Sequence, residues 1–532
     1  MDKQVFDIII VGAGTAGCLL ANRLSEKNNL NVALIEAGGS DNYHWIHIPV
    51  GYLYCMGNKR TDWLYKTSSQ PGLNGRQLNY PRGKVLGGCS SINGMIYMRG
   101  QSKDYDHWRQ LGNIGWSWDD VLPYFVKTED NFSGTDEYHG QGGEWRVDEQ
   151  RLHWDVLDDF QNATIESGIP KITDFNNGNN FGVSYFKVNQ KNGFRLNTSK
   201  AFLKPIQHRK NLKVYKNCEV ESLIIKNRIV KGINIKTNGN KLQITCNKEV
   251  VLSAGSIGSP KILELSGIGN PKLLKKIGIV PIIDLKNVGE NLQDHLQLRV
   301  IYKLQNAKTL NQEINSVFGK MKIGMEYIFK RKGPMSMAPS QLGVFAMSDS
   351  SYEMPNVQFH VQPLSLDKFG DPLHDFPGLT ASVCNLNPLS RGSVHIQSKD
   401  LKVQPEINPN YLSHATDKKV AIDSIKLARK IISQPAMIKY NPQEYTPGIN
   451  YQTDEELEKV AGDIGTTIFH PVGTCAMGIR NDSVTKPNLK VNGVDKLRIV
   501  DASVMPSITS GNTNSPTLMI AEKASELILN EV

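Results

Sequence analysis

Apolar and polar positions alternate along this chain in three distinct ways. Residues 6–11 (FDIIIV) form a continuous run rich in Ile, the pattern of a strand buried on both faces. Leu19, Leu20 and Leu24 then fall on one side of a helical reading of 16–25, and 31–35 reads as a second buried strand. Residues 250–255 (VVLSAG) and 497–500 repeat the buried-strand pattern. Residues 211–235 alternate with a turn at 226–228, which predicts a β-hairpin, and 356–362 and 393–397 also read as strands of period two. In 417–433, Ala421, Ile425, Ala428 and Ile432 make an amphipathic helical stripe that Pro435 ends. Thr453 and Glu456 form a capping box, and Ser515 with Pro516 suits the N-cap and first position of a last helix. Strand–helix–strand at the start, with alternating strands and longer helices after 300, predicts an α/β chain with a second α+β region.

Between the first strand and helix stand Gly12, Gly14 and Gly17 in GxGxxG spacing. Gly12 permits a tight turn, Gly14 lets a pyrophosphate approach the backbone, and Gly17 lets helix and strand pack closely. The helix N-terminus offers N–H groups to phosphate, and Glu36, about 20 residues on, stands where an acid grips a ribose diol. A dinucleotide cofactor follows. Near the other end, His470 precedes a proline, and Asn512, Thr513 and Asn514 lie just before the last helix, whose positive end can stabilise charge on a reduced flavin.

Composition narrows this little. The 532 residues allow two or three domains, and the net charge of +9 is spread without a basic block, so a nucleic-acid partner is not expected. Seven widely spaced cysteines without a CxxC pair argue against a disulfide framework or a zinc site and for a reducing, cytoplasmic setting. The first strand begins almost at once, which leaves no room for a signal peptide, and no run of about 18 apolar residues predicts a membrane span. Peripheral membrane contact stays open, as does oligomeric state.

Several segments resemble the glucose–methanol–choline (GMC) oxidoreductases: the N-terminal unit with 83–93 (GKVLGGCSSIN), 255–269 (GSIGSPKILELSGIG), 288–296 (VGENLQDHL), 466–477 and 497–519. The resemblance implies a Rossmann-like FAD-binding domain and a substrate domain built on an antiparallel sheet. It divides the chain into FAD-binding parts at 1–155, 201–300 and 465–532 and substrate-domain parts at 156–200 and 301–464. Besides Gly12, Gly14, Gly17 and Glu36, it implies FAD contacts from Thr15, Ala16, Gly88, Ser91, Asn93 and Met95. Val220, Asp501, Ala502 and Thr513 join them. FAD is expected to be non-covalent, because Ile92 stands where covalently flavinylated choline oxidases carry histidine. His470 aligns with the family's catalytic base and Asn512 with its partner; no metal is implied.

The implied reaction is oxidation of a primary alcohol, choline or an aliphatic or glycol-type alcohol, with a quinone or oxygen as electron acceptor. A non-oxidising relative, a lyase or photodecarboxylase, is the alternative class. Phe469 is a candidate wall of a trimethylammonium cage, but the sequence offers no evident carboxylate for choline. His295 lies in a helix-like stretch and reads as a packed or capping residue. Met335, Met337, Phe345, Phe359 and Tyr411 are candidates to face a substrate, with core packing the preferred reading of each.

Overall fold

The computed structural model describes residues 4–237, 239–314, 316–368 and 370–532. Two sheets of seven strands each organise these residues. In the first, Gln4–Val11 runs parallel between Val32–Ile35 and Asn240–Leu252, with Leu212–Tyr215 and Leu497–Ile499 parallel on the outer sides of those two neighbours. The predicted hairpin is present as Cys218–Lys226 and Ile229–Thr237, antiparallel to Asn240–Leu252. Ile8, Ile9, Ile10, Ala33 and Leu34 have no exposed surface, as continuous apolar runs require when both faces are covered.

Helix Thr15–Leu24 packs on the first strand at a distance only glycine allows. A Cβ on Gly17 would stand 1.8 Å from Gly12 O, and Gly12 itself turns with φ +100°. The last helix, Asn514–Leu529, lies alongside Thr15–Leu24. Arg23 Nε donates to Glu522 across that contact, 2.9 Å from Oε2, and Thr15 Oγ1 donates to Asn514 Oδ1 at 2.7 Å. Two helix N-termini nearly 500 residues apart in sequence therefore meet. The last helix starts earlier than Ser515 and Pro516 imply, with Thr513 at the N-cap and Pro516 inside the first turn. Proline costs nothing there, since first-turn N–H groups have no intrahelical acceptor.

The second sheet is antiparallel throughout, in the order Gln443–Thr446, Leu296–Lys303, Gly378–Asn385, Val357–Gln362, Leu342–Ala346, Gly182–Tyr185, with Gly465–Thr467 also pairing Leu296–Lys303. One face is apolar. Leu298, Val300, Ala381, Val383, Phe359 and Val361 share a core with helices Asp155–Glu166, Ala415–Ile432 and Asp454–Ile464. The alternate positions, among them Gln297, Arg299, Ser382 and His360, point the other way. Met337, Phe345, Phe359 and Tyr411 are buried in apolar clusters or against them.

The helix-like reading of 288–296 does not hold. This stretch is turns and two isolated bridges, Leu292 to Gly392 and Gln293 to Val472, that lead into the strand Leu296–Lys303. Pairing of Leu296 with Thr467 decides its course and carries His295 beside the 468–470 segment. One helix, Val317–Lys330, leaves an apolar stripe in water: Phe318 and Phe329 are 85% and 80% exposed, with Met321, Met325 and Ile328 between them. Its opposite side is anchored by buried Tyr327, whose hydroxyl donates to Gly193 O at 3.0 Å. No helix among the described residues is long and apolar enough to cross a membrane.

Candidate active site

A cavity lies between the two sheets. Gly12, Gly14, Thr15, Ala16, Glu36 and Val220 line it from the first sheet and its turns. Gly88, Asn93 and Met95 line it from the 83–95 loop, and Asp501, Ala502 and Thr513 from the C-terminal segment. His470 and Asn512 also line it, as do Gln297, Arg299 and His360 of the second sheet. Two residues from the sequence reading stand elsewhere. Gly17 serves the helix–strand contact, and buried Ser91 turns into its own loop, donating to Leu86 O at 2.7 Å and accepting from Asn197 Nδ2 at 2.8 Å.

The first-sheet side fits a dinucleotide. Glu36 is buried and accepts from the N–H of Ala13 (2.8 Å) and Gly38 (2.7 Å), which fixes both carboxylate oxygens beside the glycine turn. Burial pushes its pKa up to about 7. Helices Thr15–Leu24 and Asn514–Leu529 both begin without a side-chain cap, so first-turn N–H groups and two positive dipole ends face the cavity. Gly88 approaches so closely that a Cβ there would stand 2.7 Å from Gly14 Cα. Asn514 Nδ2 and Asn512 Oδ1 are buried without a partner among the described residues, polar atoms left for a ligand to satisfy. Asp501 is a brace, accepting from Gly255 N–H (2.9 Å), Ser259 Oγ (2.6 Å) and Ser503 N–H (2.8 Å).

His470 is held from several directions. Phe469 before it adopts φ +72°, a left-handed conformation that costs an aromatic residue on the order of 1–3 kcal/mol. The surroundings impose it: Arg82 Nη2 donates to Phe469 O at 2.7 Å, and Phe469 N–H donates to Thr467 Oγ1 at 2.8 Å. Buried Asp294 gathers the segment. Its Oδ1 accepts the His470 N–H at 2.8 Å, and its Oδ2 accepts the hydroxyls of Tyr80 (2.7 Å), Thr467 (2.6 Å) and Tyr411.

The imidazole belongs to a directed chain. His295 Nε2 lies 3.0 Å from Leu386 O, His295 Nδ1 lies 3.1 Å from His470 Nδ1, and His470 Nε2 lies 3.2 Å from Asn512 Nδ2. A carbonyl only accepts, so His295 Nε2 carries hydrogen and, in the neutral ring, its Nδ1 is bare. His470 must then donate from Nδ1, which leaves Nε2 a lone pair facing Asn512 and the cavity. Burial favours this neutral state: it brings His295 down to about 4 and, with the neighbouring His295, His360 and Arg82, holds His470 well below the ordinary imidazole value. The sequence reading missed His295, Asp294 and Arg82. The 288–296 match could have flagged the first two; nothing local marks Arg82.

On the face of the second sheet turned toward the cavity, Arg299 Nε, Gln358 Nε2, His360 Nε2 and Ser382 Oγ are buried without partners among the described residues, and Arg299 and His360 line the cavity itself. Each such group costs on the order of 1–3 kcal/mol unless water or ligand pairs it.

Comparison with known proteins agrees with this geometry. Residues 6–297 and 388–521 match the N- and C-terminal parts of the GMC oxidoreductase family. An oxygen-dependent choline dehydrogenase of Vibrio vulnificus (strain YJ016) is 39% identical over 534 residues, 99% of this chain and 95% of the relative. An alcohol dehydrogenase [acceptor] of Pseudomonas putida is 38% identical over 532 residues, 99% and 96% of the two chains. The solved structure of an FAD-dependent oxidoreductase from Chaetomium thermophilum superposes with a TM-score of 0.90 over 99% of both chains at 26% identity.

Proposed function

The chain belongs to the GMC oxidoreductases, FAD-dependent enzymes that oxidise alcohols, and on that premise we propose that it converts a primary alcohol to the aldehyde with His470 as base. The observation that carries the reading is the hydrogen-bond chain from Leu386 O through His295 to His470, which leaves His470 Nε2 unprotonated beside Asn512. Bound FAD supplies the hydride acceptor. His470 Nε2 takes the hydroxyl proton, and the Asn512 amide N–H, 3.2 Å away, donates to the alkoxide that forms. The charge His470 then gains is met by His295 Nδ1, which accepts from His470 Nδ1. Asp294 acts through position, holding the His470 backbone.

FAD would be held by Glu36 at the ribose, by the uncapped turn of Thr15–Leu24 at the pyrophosphate and by Val220 at the adenine. Asn93, Met95, Ala502 and Thr513 would border the flavin. Ile92, buried and apolar, stands at the point of covalent attachment in flavinylated relatives, which supports non-covalent binding. Choline is not the favoured substrate. The cavity's carboxylates are engaged: Glu36 with backbone N–H groups, Glu219 with Lys261 Nζ at 3.3 Å, Asp501 with two helix starts.

A membrane quinone is the acceptor that a second observation favours over oxygen. The exposed stripe of Val317–Lys330 is flanked by Lys320, Lys322, Lys330, Arg331 and Lys332, the composition of a helix that lies in an anionic lipid surface. The chain continues from this helix to Pro339 and Ser340 in the cavity wall, so docking would bring the cavity close to the bilayer.

Anaerobic mixing with primary alcohols is expected to bleach the flavin, and His470→Ala to slow bleaching on the order of 100-fold or more. A variant that reduces at the wild-type rate excludes His470 as base. Denaturation should release the whole flavin into the supernatant; flavin that stays with precipitated protein contradicts non-covalent binding. Holoenzyme should sediment with vesicles containing anionic phospholipid but not with neutral ones, and the double variant Phe318→Ser, Phe329→Ser should stay in solution with its flavin content intact. Equal sedimentation of variant and wild type removes this helix from the docking role.

A further inference from the structure

The polar row on the second sheet has a charge at its edge that the alcohol chemistry leaves unused. Register places Arg299 opposite Ser382, and Ser382 opposite His360, so the three side chains stand on one face of adjacent strands, and Arg299 and His360 line the cavity. Arg299 Nε, Ser382 Oγ and His360 Nε2 all lack a partner among the described residues. Arg299 is 9% exposed, and its hydrogen bond from Nη2 to Leu366 O is long at 3.5 Å. Asp367, the carboxylate that influences it from outside, has a largely exposed side chain turned to His374 Nε2 at 3.2 Å. The carboxylates that line the cavity are occupied as described above. A guanidinium keeps its charge in proteins and offers a planar fork of donors. Such a group, buried at a cavity wall with no carboxylate paired to it among the described residues, is shaped for a ligand carboxylate, whose two oxygens match the fork.

We infer that Arg299 is an anion subsite for the substrate, and that the preferred substrates are hydroxy carboxylates rather than cationic or uncharged alcohols. This rests on the alcohol-oxidation reading and names the substrate class for the same cavity. His470 and Asn512 engage the carbinol, while Arg299 takes the carboxylate at the far end of the molecule. A cationic alcohol would meet like charge at that wall, whereas an uncharged one would leave the guanidinium unpaired.

The test uses the FAD-loaded enzyme under anaerobic conditions with matched pairs: 1-propanol and 3-hydroxypropanoate, 1-butanol and 4-hydroxybutanoate, 1-hexanol and 6-hydroxyhexanoate, with choline as the cation. At least one hydroxy acid is expected to give an apparent Kd for flavin reduction about 10-fold or more below that of its matched alcohol. Arg299→Gln should raise the Kd of the acid at least 10-fold more than that of the alcohol, and Arg299→Lys should recover part of the difference. Butanoate, which cannot be oxidised, supplies an independent readout. It should perturb the oxidised flavin spectrum on binding, and about 10-fold higher concentrations should be needed in Arg299→Gln. If choline or the plain alcohols bind as tightly as the acids, or Arg299→Gln weakens acid and alcohol alike, the anion subsite is wrong and alcohol oxidation stands. If no alcohol reduces the flavin while butanoate still binds through Arg299, the oxidation reading fails and the subsite survives.

Discussion

The site depends on the consecutive pair Asp294 and His295. The carboxylate fixes the backbone of His470 and the imidazole fixes its protons. Neither effect works without burial. In water the histidine pair would sample both tautomers and the imidazolium, whereas in this apolar enclosure the charged forms are disfavoured and a single carbonyl, Leu386 O, orients the chain. The strained backbone at Phe469 belongs to the same construction. Arg82, Thr467 and Asp294 together hold a conformation the segment would not keep alone.

The parts of the molecule that were legible in sequence were those written locally. Residues 6–36 carry strand, turn, helix and acid within one short unit, and the structure keeps all four. Helix Ala415–Ile432 and the capping box at Thr453 were equally readable, because side-chain period and cap chemistry act over a few residues. His295 was not, because 175 positions separate it from His470 and only the pairing of Leu296 with Thr467 brings them together. The polar face of the second sheet was hidden for a related reason. Arg299, Ser382 and His360 each look like the solvent side of an ordinary alternating strand until register stacks them and the first sheet covers them. The start of the last helix moved only slightly, since Pro516 is tolerated throughout a first turn.

The two sheets divide the labour. The first is built on main-chain proximity: glycines at 12, 14, 17 and 88 bring backbone to backbone, and two uncapped helices aim their dipoles into one space. The second turns the side chains of Gln297, Arg299 and His360 to the cavity and keeps its apolar face on the other side.

The central claim is that His470 stands neutral with Nε2 bare. It is tested most directly by nitrogen–proton correlation spectra of nitrogen-labelled histidines in the FAD-loaded enzyme, with the two rings assigned through His295→Asn and His470→Asn. The account predicts hydrogen on Nδ1 of His470 and on Nε2 of His295 at neutral pH. Because both folded-state pKa values are depressed, that pattern should persist as pH falls through 6.5, where an ordinary imidazole is half protonated. A His470 ring with hydrogen on Nε2, or one that becomes imidazolium near pH 6.5, would contradict it.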